Sequence, residues 1–455
     1  MSSDPADLGV IEAAELLRTR RLSAPELLEA CLARIEERNG GAPSFDGGPD
    51  EVNAWIRLYP ELARAQAGER TGDEERFLCG VPLALKDLYG VAGLPLTASS
   101  RVLADNVGDA DSAVWRRLRD EGMVLVGHTH THEFAAGGTT DQVGNPWALD
   151  RVVGGSSGGN AAALAAGMVP AAVGTDTCGS LRIPSACCGT SAIKPTQGRL
   201  ALDGIIPLAG SLDHPGPMAR SVADCSALLA AMTGEPFPID VRAEPRPLAG
   251  LRIAVSDRPG AIDIDAPVAD GFDRARRACE ELGAFVVELP SPAKLEWEYL
   301  SLLLLSEVWA YHARFHDRHE LYRPALAEFV EVAATFTDAQ AYIRAGWQRA
   351  RLTAAWEHWF RAHDLDLVIE PTLPITPLVR GPGYDRGHAG GPGDPMIALT
   401  ALWNMTGMPV VSLPVEWNVG VSLVAPRGLE AVAIQAAIDL QEHALGVPRW
   451  SPVPG

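Results

Sequence analysis

"GGSSGGNAAALAAGMVPAAVGTDTCGSLRIP" (residues 154–184) sets two glycine-bearing loops around one short element of each kind. A glycine turn at 154–159 leads into an Ala-rich helix over about 159–167. An apolar strand over Val169–Val173 follows, and then a second glycine turn carrying Cys178 and Ser180. Alanine is the strongest helix former, and an apolar run this short between glycines suits a buried strand. Glycines before a helix can cradle a phosphate on the helix N-terminus, but the lysine that would complete a P-loop is missing. Taken alone, GGSSGG reads as a turn and Ser180 as a helix cap.

The surrounding chain alternates strands with helices. "CGVPLALKDLYG" (79–90) is an apolar strand carrying one lysine, Lys86, a residue normally solvated at a strand end. "MVLVGHT" (123–129) is the next buried strand, after a helix whose start is marked by Asp111 and Ser112. Further on, "GLRIAVSD" (250–257), a helix over 265–282 and "AFVVELP" (284–290) form a strand–helix–strand unit that predicts parallel pairing. "DLDLVIEPTLP" (364–374) and "MPVVSLPV" (408–415) return as strands. The pattern predicts an α/β protein. Residues 1–70 read as a helical N-terminal part: a helical stretch over 7–39 broken near Leu22, with Ser23 and Glu26 as a capping box, then a helix over 51–69 interrupted near Pro60. Residues 293–362, rich in Trp and Leu, read as a helical addition that shapes a pocket. The Gly/Pro loop 379–395 is long enough to be a flap. Neither a repeat nor a linker divides the chain, so 1–455 is expected to be a single domain.

Composition narrows the function. A chain 47% hydrophobic and 21% charged, with 45 Gly and 35 Pro, suits a globular protein with many turns. The net charge of −20 would repel nucleic acid and anionic membranes, so neither is expected as a partner. Seven cysteines (Cys31, Cys79, Cys178, Cys187, Cys188, Cys225, Cys279), an odd number without metal-finger spacing, read as reduced thiols. With no long apolar run and no leader-like N-terminus, a cytoplasmic location is expected.

Three stretches taken together go further. "GVPLALKDLYGVAG" (80–93), the run from Gly154 through "IKPTQGRL" to Leu200, and "GSLDHPGPMARSVAD" (210–224) resemble the amidase signature family. Support from "DLVIEPTLPITP" (366–377) and "NMTGMPVVSLP" (404–414) extends the resemblance over nearly the whole chain. The resemblance implies one large α/β/α domain with a central mixed, twisted sheet covered by helices, no cofactor, no metal, and a homodimer by family habit. It also implies a serine hydrolase that cleaves the C–N bond of small-molecule amides through an acyl-enzyme, with esters and carbamates (urethanes) as further substrates. Its Ser–cis-Ser–Lys triad falls on Ser180 as nucleophile, Ser156 as bridging serine and Lys86 as base. The backbone of Thr177, Cys178, Gly179 and Ser180 is then the oxyanion hole.

The chemistry needs such residues. A serine hydroxyl attacks only when something takes its proton, and no histidine lies in the motif. Lysine serves only when neutral, and lowering its pKa from ~10.4 to ~7 requires destabilising the charged form by roughly 4–5 kcal/mol, which burial can supply. Val81, Leu83 and Leu85 are expected to provide apolar surroundings for Lys86, with Asp87 turned away by strand alternation. Ser157 competes with Ser156 for the relay but is expected to bond locally, and Arg182 is expected to anchor its loop. Two departures from the family pattern stand out: Cys178 where most relatives carry Gly, and Asn160 where they often carry Ser.

Three other readings remain open at this point. Cys178 could attack with help from Lys86, a thiolate being the better nucleophile, although no glutamate sits in either loop. His128, His130 and His132 in "GHTHTHEF" (127–134) alternate as zinc ligands can, or are incidental to a loop. Thirdly, one branch of the family is the glutamine-hydrolysing component of a tRNA-dependent amidotransferase; the short "LPVEWNVGVSLVAPRG" (413–428) points instead to a stand-alone hydrolase.

Overall fold

The computed structural model describes residues 4–69, 76–234, 248–258, 260, 262–381 and 393–448. Its principal sheet has eleven strands: β1 (Trp55–Leu58), β2 (Pro82–Lys86), β3 (Val124–Thr129), β4 (Ala171–Asp176), β5 (Ser191–Lys194), β6 (His214–Ala219), β7 (Arg252–Ser256), β8 (Phe285–Leu289), β9 (Leu367–Pro371), β10 (Val410–Glu416) and β11 (Val419–Val424). They lie in the order β1-β3-β2-β4-β6-β5-β10-β11-β9-β7-β8. The sheet is mixed. β3, β2 and β4 run parallel, as do β9, β7 and β8, and the strands between these two groups are antiparallel. The predicted strand–helix–strand unit is the β7–β8 pair, parallel with Phe285 opposite Arg252, joined by the helix Ala266–Glu281.

Alternation along β2 decides what each face receives. Leu83 and Leu85 enter a core shared with Leu228 of the helix Val222–Thr233, Ala275 of the helix Ala266–Glu281 and Ile434 of the helix Glu430–Leu440. Ala84 enters the opposite core, with Ala161, Ala162 and Leu164 of the helix Gly158–Ala165. Side chains two apart share a face, so Lys86 projects to the side of Ala84. Val81, Leu83 and Leu85, expected to surround the lysine, line the other face.

Other expectations meet the structure unevenly. The stretch 7–39 contains the helices Val10–Arg18 and Ala24–Arg38, and Ser23 and Glu26 form both bonds of the capping box. The helix expected over 51–69 begins only at Pro60; Trp55–Leu58 is instead the edge strand β1, antiparallel to β3. Buried Trp55 and Ile56 favour a pleated edge, and proline's fixed φ suits a first helical turn. The strand expected over Val169–Val173 is displaced to Ala171–Asp176, because β6 pairs with it as far as Asp176 and His214. The region 293–362 is helical as expected, in the helices Trp297–His312, Pro324–Ala333 and Ala339–Ala362. Most of the expected flap, residues 382–392, lies outside the described residues. Among the described residues, no helix is long and apolar enough to cross a membrane.

Candidate active site

Lys86 ends β2 fully buried, its Nζ 2.7 Å from Ser156 Oγ and 2.9 Å from Thr175 Oγ1 on the neighbouring β4. Ser156 belongs to the turn that opens the helix Gly158–Ala165, and the Gly155–Ser156 peptide is cis. Gly159 lets that helix press on the sheet: a Cβ there would come within 2.5 Å of the Ala54 carbonyl oxygen and the His130 backbone nitrogen. Burial pulls the Lys86 pKa down to about 7, against the upward pull of Asp213 and Asp176. Asp87 faces away, accepting N–H bonds from Thr97 (3.1 Å) and Ser99 (2.8 Å).

Ser180 lies in the loop between β4 and the helix Arg182–Cys188, and the Asp176 carboxylate organises that loop. It accepts from Gly179 N (2.8 Å), Leu181 N (3.1 Å), both Nε and Nη2 of Arg182 (2.9 Å each) and Asn404 Nδ2 (2.7 Å). Burial alone would raise the Asp176 carboxyl; the Arg182 guanidinium, with Lys194 and Asn404, outweighs it and holds the group well below the usual carboxylate range. Arg182, fully buried, also donates to the Thr400 carbonyl (3.1 Å) and Asn404 Oδ1 (2.6 Å). It touches the loop and its supports, as an anchor should. Removing one partner strands a buried charge, so Arg182→Ala is expected to lower stability by about 3–5 kcal/mol, read as a shift in the urea midpoint.

Gly179 has φ +135°, and a Cβ there would run into Thr400, so glycine is required. Cys178 is not among the positive-φ residues, and a side chain there therefore carries no backbone strain. Of the four backbone donors expected to form an oxyanion hole, that of Gly179 is engaged by Asp176. Thr177 is held through its side chain, its Oγ1 donating to Asp213 Oδ1 (2.6 Å). Burial pushes the Asp213 carboxyl up to about 7. The turn and the loop meet where Ser157 N donates to the Ser180 carbonyl (3.2 Å), while Ser157 Oγ is committed to the Thr175 carbonyl (3.2 Å). Lys86 and Ser156 are thus in direct contact. No hydrogen bond joins Ser156 Oγ to Ser180 Oγ in this structure. Catalytic bonds are often long before substrate tightens them.

The competing nucleophile and the histidines fare differently. Burial, reinforced by Asp176, pushes the Cys178 thiol well above its ordinary pKa, the opposite of what an attacking thiolate needs. His128 bonds Tyr59 Oη (2.9 Å) and the Tyr89 carbonyl (3.1 Å); His130 bonds the Ser44 carbonyl (2.8 Å) and Ser99 Oγ (3.2 Å); His132 bonds the Thr139 carbonyl (2.9 Å). The three rings are spent on separate parts of the fold. Among the described residues, no three His, Cys, Asp or Glu side chains gather to hold a metal ion. Asp176, Asp213 and Asn404 carry much of the site's bonding, yet the sequence alone suggests no role for them. The only signal for them there is that they lie inside the quoted motifs.

The Amidase family model matches residues 26–433, and the chain belongs to that family. It is 35% identical to an amidase of Pseudomonas putida, with 90% of this chain and 89% of the other covered. It is 32% identical to a glutamyl-tRNA(Gln) amidotransferase component from Azotobacter vinelandii, over 96% of this chain and 97% of the other. The solved structure of 6-aminohexanoate cyclic dimer hydrolase superposes with a TM-score of 0.85 at 28% identity, covering 99% of this chain and all of that one.

Proposed function

We propose that the protein cleaves the C–N bond of small-molecule amides through an acyl-enzyme on Ser180, with Ser156 as relay and Lys86 as base. The observation that carries this reading is the buried Lys86 amine, its pKa drawn down to about 7, held 2.7 Å from the Ser156 hydroxyl. A neutral amine accepts the Ser156 proton while Ser156 Oγ accepts that of Ser180, since a hydroxyl both donates and accepts. Ser180 Oγ then adds to the carbonyl. Backbone N–H groups of Thr177, Cys178 and Ser180 receive the developing oxyanion. The Gly179 donor supports the loop through Asp176 instead. The proton returns through Ser156 to the departing amine, and water repeats the sequence to release the acid. Esters and carbamates present the same carbonyl and enter the same scheme.

The test is labelling with a carbonyl or carbamate inhibitor, read by intact mass and fragment ions. Trypsin leaves residues 152–182 as one peptide containing Ser156, Ser157, Cys178 and Ser180, so the assignment must come from fragments within it. A modification on Ser180 is expected, and one on Cys178 would overturn the scheme.

A second reading has its own support in the glutamyl-tRNA(Gln) amidotransferase relatives, which match over nearly the full chain. In that reading the same site hydrolyses glutamine as part of a complex with a tRNA-binding partner. Glutaminase activity that appears only when such a partner is added would favour it; turnover of simple amides by the isolated chain favours the stand-alone hydrolase.

A further inference from the structure

Beside Ser180 lies a void of ≈ 40 Å³ that neither Lys86 nor Ser156 borders. One wall is the loop that carries Ser180, through Cys178 and Ile183; the facing wall is Leu304 and Phe329 from the helices Trp297–His312 and Pro324–Ala333. Leu208, Ile397 and the stretch 135–138 add to a lining that is mostly hydrocarbon. The position of Ser156 indicates which part of a substrate belongs there. The leaving amine must depart where Ser156 can return the proton, so a void that Ser180 borders and Ser156 does not is assigned to the acyl group. We propose that this void is the acyl site, that it admits a short, neutral, apolar chain, and that Cys178 and Phe329 set its length limit. The inference rests on Ser180 being the nucleophile.

Size and charge make the substrate class definite. A water-sized group needs about 10–15 Å³, so ≈ 40 Å³ in this partly open pocket is room for about three non-hydrogen atoms, the chain beyond the carbonyl of a butyryl group. A glycine at 178 would return the volume of a CH2–SH group to the void; the cysteine therefore narrows a site that the rest of the fold leaves wider. The buried carboxyl of Asp394 also borders the void, accepting from Met396 N (2.9 Å). A chain ending in a carboxylate would bring a second acidic group against it, which disfavours half-amides of dicarboxylic acids.

The experiment is kcat/KM for a series of anilides: acetyl, butyryl, hexanoyl and succinyl. The wild type is expected to favour butyryl over both hexanoyl and succinyl by at least about tenfold, since one methylene too many in a fitted pocket is worth about 10–200-fold. Cys178→Gly and Phe329→Ala, from opposite walls, should each raise the hexanoyl-to-butyryl ratio at least about tenfold. Cys178→Ser, close to the native size, should restore the short-chain preference. If turnover depends on Ser180 but hexanoyl equals or exceeds butyryl in the wild type, or neither wall variant moves the ratio, the acyl-site inference fails while the nucleophile assignment stands. If no anilide, ester or carbamate is turned over in a Ser180-dependent way, both fall together.

Discussion

Ser180→Ala is expected to lower kcat/KM on a good anilide substrate by at least about 10⁴-fold while leaving the fold intact. Losing a catalytic nucleophile typically costs up to about 10⁶-fold, and the remainder comes from donors and binding contacts that survive. Here those survivors are identifiable, because the loop does not depend on the Ser180 hydroxyl. Asp176 holds Gly179, Leu181 and Arg182, and Ser157 N reaches the Ser180 carbonyl, a backbone atom. The circular dichroism spectrum and melting temperature of the variant should therefore match the parent, which separates chemical loss from unfolding. The same measurement on Cys178 variants distinguishes the two nucleophiles. If Cys178→Ala suffered the greater loss, the thiol would be the attacking group and the serine a bystander.

How much of this could be read from the chain depends on range. The α/β class, the parallel β7–β8 unit and the glycine loops were legible because each is written in consecutive residues: periodicity, a turn, a cap. β1 was not. Its four residues sit between polar loop and proline, and only Trp55 and Ile56 going into the core makes them a strand rather than the start of the next helix. The surroundings of Lys86 were misjudged for a related reason. Val81, Leu83 and Leu85 are its neighbours in sequence, but the pleat sends them to the other face, and the face onto which Lys86 projects packs against the helix Gly158–Ala165, more than seventy residues away. Asn404 shows the limit most clearly. Its side chain bonds Asp176 and Arg182 across more than two hundred residues, a distance over which no local pattern in a single sequence can speak.

Replacing Lys86 by Met is expected to remove activity and, at neutral pH, to make the protein more stable. Activity should fall by about 10²–10⁴-fold, the usual contribution of a positioned base. In the parent, kcat/KM should rise about tenfold per pH unit on the acid side and level off above about 7, where the amine is neutral; the variant should lose that limb. The stability effect has the opposite sign because burial lowers this lysine's pKa. The unfolded chain binds the proton up to about 10.5 and the folded chain only up to about 7. The burden is therefore fully present below pH 7, shrinks as pH rises from 7, and is gone above 10.5. Its size below pH 7 is roughly 5 kcal/mol, at 1.36 kcal/mol per pH unit. Methionine removes that burden but leaves the Ser156 and Thr175 hydroxyls without the amine, at about 1–3 kcal/mol. The net expectation is a gain of about 2–4 kcal/mol at pH 6–7 that fades and reverses towards pH 10.5, measured by denaturant titration across that range. A variant less stable than the parent at pH 6 would show that the lysine is buried as a charge balanced by Asp213 and Asp176, and the proposed relay to Ser180 would then lack its neutral amine.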